Sequence, residues 1–263
     1  MKNILVLVHD DPGQDSRLQV ALDLVRALNG HLTCLDLTIP IVTTTTDVFF
    51  EDVTVLDRTA DNANRSRVRQ RLEAAALAFT WIERTDTLNS AIINVADLAD
   101  IIVLSAPADM LFPDMEGAAG SALIDAHTAI VVAPEKAHGI RLTGEVMIAW
   151  DGSPAASNAL HAAVPLLRRA QLATIVEIDD GSLGTPAAQA LNYLKQREVR
   201  ATIRSDLAFG EKAGCLLLEQ IGLLKPDYVV MGGFGHPRIV ERVFGGVTHR
   251  LLRESPVPIF LKH

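Results

Sequence analysis

The strongest constraint on the fold of this chain is an internal repeat. Ile4-Leu5-Val6-Leu7-Val8-His9-Asp10 and Glu145-Val146-Met147-Ile148-Ala149-Trp150-Asp151 match at an offset of 141, each a short apolar run that ends at an aspartate. Each run leads through a turn into a helix-period segment, 15–29 in one case and 154–169 in the other. Apolar or β-branched runs follow at 32–37 and 172–178. Then come Ile101-Ile102-Val103-Leu104 and Tyr228-Val229-Val230-Met231, preceded by Asp100 and Asp227, and final runs at 129–132 and 257–261. A repeat of this length sets the number of structural units before any finer reading. Each copy reads β-α-β-α-β-α-β-α-β.

Strands that are short and continuously apolar belong to a parallel sheet covered on both faces by helices. Right-handed crossovers make such a sheet open and doubly wound, with ligands expected beyond the carboxyl ends of its strands. The expected architecture is therefore α/β: two tandem doubly wound parallel-sheet domains of five strands each, related by pseudo-two-fold symmetry. The polar joint Lys136-Ala137-His138-Gly139 divides them into 1–138 and 139–263. A chain of 263 residues, 49% apolar, has material for two such cores.

Composition removes several classes of function. With 21% charged residues the chain is not a disordered one. No apolar run approaches the roughly 20 residues of a membrane span, and the N-terminal run reads as a first strand and not as a leader. No membrane partner and a cytoplasmic location are expected. Net charge is −8 with no basic stripe, so no nucleic-acid partner is expected. The charge is uneven: residues 1–143 carry 11 Lys+Arg against 20 Asp+Glu, and residues 144–263 carry 13 against 12. The second half is the better host for an anion. Cys34 and Cys215 each lie in an apolar run and form no CxxC, so they read as buried free thiols with no zinc site.

The segment most informative about chemistry is Met231-Gly232-Gly233-Phe234-Gly235-His236, continued by Phe244-Gly245-Gly246-Val247-Thr248-His249-Arg250. Glycines directly follow a strand, nine residues separate Gly235 from Gly245, and a helix opens at Gly246. On residues alone two readings stand. The glycines serve tight turns and packing, or they let backbone approach an anion at a helix N-terminus, with Thr248 adding a hydroxyl.

These residues resemble the universal stress protein family, whose pattern is Gly-x-x-Gly, nine residues, then Gly-Ser or Gly-Thr, with an aspartate after the first strand. Here the matching positions are Gly232, Gly235, Gly245 and Asp151, and the closing Ser255-Pro256-Val257-Pro258-Ile259 is also similar. The resemblance spans both halves, as in tandem members. It implies ATP as the ligand, with or without Mg. Asp151 would face the nucleotide, Gly232 and Gly235 its ribose and phosphates, and Gly245, Gly246, Val247 and Thr248 its phosphates. It also implies that the last strands pair between domains, so that here the two halves pair internally and other surfaces are left for a homodimer.

The chain departs from the pattern at Gly246, where the family has a hydroxyl. The lost hydrogen bond is worth roughly 0.5–1.5 kcal/mol, which weakens binding without abolishing it. The first half departs further: Ser105-Ala106-Pro107-Ala108 aligns with 232–235, Gly120-Ser121 follows at a different spacing, and Asp109, Asp114 and Glu116 crowd the loop. One competent site per chain is expected, in the second half.

Other residues take plainer readings. His236 and His249 read as solvent-facing or capping residues, Arg238, Arg242 and Arg250 as anion helpers or surface ion-pair partners, and Ser153-Pro154 as a helix cap. The run Arg65 to Arg71 reads as the solvated face of a long helix, and 43–52 as a lid, an interface patch or a small satellite core. Neither GxxxxGK[ST] nor GxGxxG occurs. No general base, metal-binding carboxylate pair or arginine finger is recognisable. The expected function is a stress-response protein that binds ATP or a related nucleotide as a switch or scaffold. The alternatives are a nucleotide-free interaction module and a slow nucleotide hydrolase.

Overall fold

A computed structural model describes residues 1–38, 50–106, 128–179, 181, 183–207, 212–233 and 246–263, with backbone only over 50–61. The first half holds β1 (Asn3–Val8), α1 (Gln14–Leu28), β2 (His31–Thr38), α2 (Phe50–Ala74), β3 (Phe79–Thr85), α3 (Leu88–Ala96), β4 (Ile101–Ser105) and β5 (Ala129–Ala133). The second holds β6 (Glu145–Trp150), α4 (Pro154–Leu167), β7 (Leu172–Asp179), α5 (Ala187–Gln196) and β8 (Ala201–Leu207). It continues with α6 (Ala213–Leu224), β9 (Tyr228–Gly232), α7 (Gly246–Glu254) and β10 (Ile259–Lys262). The first half's last helix and the 43–49 part of the apolar loop fall outside the described residues.

The strands form one sheet in the order β3-β2-β1-β4-β5-β10-β9-β6-β7-β8. Within each half all pairings are parallel. The halves join through one antiparallel pairing, Ile259 with Val132, Phe260 with Val131 and Leu261 with Ile130. The palindromic order is the expected pseudo-two-fold. It merges two five-stranded sheets into one and leaves β3 and β8 as the edges, and both edges carry charged side chains, which discourages further strand addition.

Side chains alternate between two cores. Ile4, Val6 and Val8 face one layer with residues of α1, α2, α4 and α5, whereas Leu5 and Leu7 face another with residues of α3, α6 and α7. This alternation corrects the offset of the repeat. Val6 and Ile148 share the first core, and Leu5 and Met147 the second, so β1 and β6 superpose at 142 and not 141. A one-residue slip would turn every side chain to the wrong face. The linking loops differ in length as well, 9–13 before α1 and 151–153 before α4.

The aspartates that precede β4 and β9 have the same structural task. Asp100 accepts the backbone N–H groups of Lys2 (2.6 Å) and Asn3 (3.0 Å), and Asp227 accepts that of Glu145 (2.8 Å). Each therefore ties the start of one strand to its neighbour. Asp227 also takes a forked pair of bonds from Arg141 (3.0 and 3.1 Å), while Asp23 of α1 accepts the Ile140 N–H (3.0 Å). The joint between the halves is thereby pinned from both sides.

The arginines of α2 are not a merely solvated face. Arg65 pairs with Asp36 (2.5 Å), Arg67 with Asp10 (2.8 Å), Arg69 with Glu83 (3.6 Å) and Arg71 with Asp15 (2.9 Å). Arg69 also lies over the Trp81 ring at 4.5 Å. The row ties α2 to the loop before α1, to α1 itself and to the β2–β3 edge. Of the two cysteines, Cys34 is buried and Cys215 only partly so.

Candidate functional site

The candidate site lies where β6 and β9, neighbours in the sheet, both end. Ala149 pairs with Met231, so Trp150 and Asp151 run beside Gly232 and Gly233. Asp151 folds its carboxylate back onto the Ser153 N–H (2.9 Å). Ser153 in turn caps α4 by accepting from Ala156 N (3.1 Å), with Pro154 at the first helical position. The chain thus turns from strand to helix in three residues, which is possible because Gly152 takes φ +71°.

Gly232 is required by packing. A Cβ there would sit 2.5 Å from Ala156 N and 2.6 Å from the carbonyl carbon of Ala155, both rigid backbone at the start of α4. The end of β9 and the first turn of α4 are therefore in direct backbone contact. Gly246 is the opposite case. It opens α7 exposed to solvent, and among the described residues nothing lies within 4 Å of a Cβ built there. Behind it Val247 is half-buried and Thr248 is buried, and Leu251 and Leu252 anchor the helix in the second core. An exposed helix start fits a phosphate group, because the first-turn N–H groups have no intrahelical partner.

Three neighbours of the site are not among the binding residues expected from the sequence. The first is a strap over 183–186. Gly184 N and Thr185 N donate to the carbonyls of Asp151 (2.9 Å) and Gly152 (3.0 Å), and Trp150 Nε1 donates to Thr185 O (2.7 Å). A Cβ on Gly152 would collide with the Thr185 backbone, so the two loops meet glycine to backbone. The second is Glu177 at the end of β7, whose carboxylate caps α5 through Ala187 N (2.7 Å) and accepts from Ser205 Oγ (3.3 Å). The third is the 262–263 end: Lys262 pairs with Gly232, Gly233 N donates to Lys262 O (3.0 Å), and His263 Nδ1 donates to Gly233 O (3.1 Å). Burial lowers the pKa of the Lys262 ammonium below its ordinary value.

Of the residues expected at the site, the described fold brings Asp151 and Gly232 to one end of the sheet and places Gly246, Val247 and Thr248 at the start of α7. Gly235 and Gly245, with His236, Arg238 and Arg242, lie outside the described residues. Arg250 is engaged elsewhere, with Nη1 on Cys215 Sγ (2.9 Å) and Nε beside Glu254 (3.1 Å). In the first half Asp10 is not the counterpart of Asp151. Asp10 is exposed and pairs with Arg67, and it is Asp11 that bonds the N–H two residues on, at Gly13 (2.8 Å), ahead of α1.

No family model matches the sequence, and no curated protein matches it. Among solved structures, the whole chain is similar to a universal stress protein from Archaeoglobus fulgidus, with TM-score 0.74 at 16% identity over 99% of this chain and 97% of that one. A second universal stress protein, from Pseudomonas aeruginosa, matches with TM-score 0.57 at 13% identity over 100% and 93%. The cytoplasmic domain of a prokaryotic cation chloride cotransporter matches with TM-score 0.51 at 11% identity over 99% and 94%. The chain has the fold of tandem universal stress proteins. Among the described residues no helix is long and apolar enough to cross a membrane.

Proposed function

We propose that the protein is a universal-stress-type nucleotide-binding protein that holds ATP, or a related nucleotide, in its second half and acts as a switch or scaffold. The observation that carries this reading is the exposed start of α7 at Gly246, in the half where β9 ends on a glycine that packing requires. In the proposed complex the first-turn N–H groups of α7 meet the phosphates, Gly232, Gly235 and Gly245 let backbone come close, and Asp151 faces the rest of the nucleotide. The even charge of the second half, 13 Lys+Arg against 12 Asp+Glu, opposes an anion less than the acidic first half does. Catalytic turnover forms no part of the proposal, because binding speeds a reaction only where contacts strengthen in the transition state.

Gly246→Asp tests the reading with little risk to folding. The new Cβ meets nothing within 4 Å among the described residues, and an acid at a helix N-terminus is favourable to the fold. The same carboxylate repels a bound phosphate. Mg-ATP affinity is expected to fall at least about tenfold while Tm stays level or rises. Unchanged affinity would remove α7 from the site. A second reading, an interaction module that takes no nucleotide, is favoured by the strap already bonded to Asp151 and Gly152. Absence of Mg-ATP binding to the wild type would put that reading first.

A further inference from the structure

The first half has an equivalent crevice, at the ends of β1 and β4, and its occupant is part of the chain. Arg17 of α1 is fully buried, with 0% of its side chain exposed against 6% for its partner Asp11. Every donor of the guanidinium is used. Nε donates to Leu7 O (2.7 Å), and Nη2 donates to Asp11 Oδ2 (2.7 Å) and His9 O (3.3 Å). Nη1 donates to Asp11 Oδ1 (3.2 Å) and to the Ser105 hydroxyl. Ser105 is the last residue of β4, as Gly232 is of β9, and a Cβ on Gly13 would overlap the Ser105 hydroxyl. Counting from the helix caps Gly13 and Ser153, the second half has Ser157 where the first has Arg17.

Two main-chain carbonyls, a carboxylate and a hydroxyl thus converge on one point, and all of them accept. That set is the electrostatic opposite of a phosphate cradle. It matches a planar cation with donors in a fixed fork. We propose that the first-half crevice is a guanidinium-class cation site filled by the chain's own Arg17, and that its all-acceptor lining closes this half to nucleotide. Deleting the occupant leaves a hole shaped and charged for a small guanidinium ion and hostile to anions, because Asp11 remains buried within it.

The test is Arg17→Ala, with methylguanidinium, inorganic phosphate and matched sodium chloride as additives. Breaking a buried pair on one side is expected to lower Tm by about 10 °C. Methylguanidinium restores part of that shift in the variant and none in the wild type, as a ligand selective for the folded state does. Phosphate stabilises the variant no more than it stabilises the wild type. Should Arg17→Ala not fold alone, the same comparison is made on its refolding yield with each additive. Lack of rescue by methylguanidinium in either format overturns the proposal, and so does preferential stabilisation by phosphate. Arg17→Lys provides the control: it retains a charge inside the crevice, has an intermediate Tm and gains nothing from methylguanidinium.

Discussion

Replacing Gly232 with alanine adds a single methyl group where the end of β9 touches the first turn of α4. The new Cβ would lie 2.5 Å from Ala156 N, 2.6 Å from the Ala155 carbonyl carbon and 3.0 Å from its oxygen. None of these atoms belongs to a flexible side chain, so either α4 or the end of β9 must move. Overpacking of this kind costs about 1–3 kcal/mol. At roughly 2–4 °C per kcal/mol for chains near this size, Tm is expected to fall by about 5 °C. The displaced elements are those that carry Asp151 and the start of the glycine loop, so Mg-ATP affinity should fall with stability. Differential scanning calorimetry and a calorimetric titration on the same preparation measure both. Gly246→Ala is the matched control, since its Cβ meets nothing within 4 Å among the described residues and its N–H is kept. That variant should keep wild-type stability and affinity. A Gly232→Ala protein with wild-type Tm and affinity would refute the packing argument and the placement of the site beside it.

Three further outcomes are expected. Gly246→Ser supplies the hydroxyl that the glycine lacks and should tighten Mg-ATP by about two- to tenfold at constant Tm, read by titration. Under native alkylation at mildly alkaline pH Cys215 should react and Cys34 should not, because burial drives the Cys34 thiol to about 12, a rise that nearby Arg69 only partly opposes; peptide mass spectrometry reads the sites. Burial pulls the Asp100 carboxyl upward, but the N–H bonds from Asn3 and Lys2 outweigh it and hold its pKa below the ordinary value. A carboxylate depressed in the folded state contributes stability above its unfolded pKa of about 3.9, and that contribution is lost as pH falls through the folded value. Asp100→Asn should therefore flatten the acid limb of Tm against pH below about pH 4 and lower Tm at neutral pH.

Much of the fold was legible because buried parallel strands are continuous apolar runs, and β1, β4, β6 and β9 are almost nothing else. The edge strands β3 and β8 were not located residue by residue. They are half solvated, and Glu83, Arg84, Arg204 and Asp206 interrupt any apolar signal. The repeat is plain in the sequence, but core-facing parity and not the aspartates decides its offset, and it is Asp11 and not Asp10 that bonds the N–H two residues on, as Asp151 does. Ser153-Pro154 was readable as a cap because its chemistry is local. Arg17 was not readable, since among Asp15, Ser16 and Gln19 it resembles any surface arginine. Only the approach of Ser105, 88 positions away, shows it to be buried. The strap on Asp151 and the seat of Lys262 beside Gly232 were hidden for the same reason, as products of strand register and loop closure.

The central claim is a single nucleotide site per chain, located in the second half. It is tested most directly by calorimetric titration of the intact wild-type chain with Mg-ATP, repeated on Gly246→Asp. A stoichiometry of about one is expected for the wild type, with loss of that binding in the variant. A stoichiometry of two, or binding that survives Gly246→Asp, would contradict it.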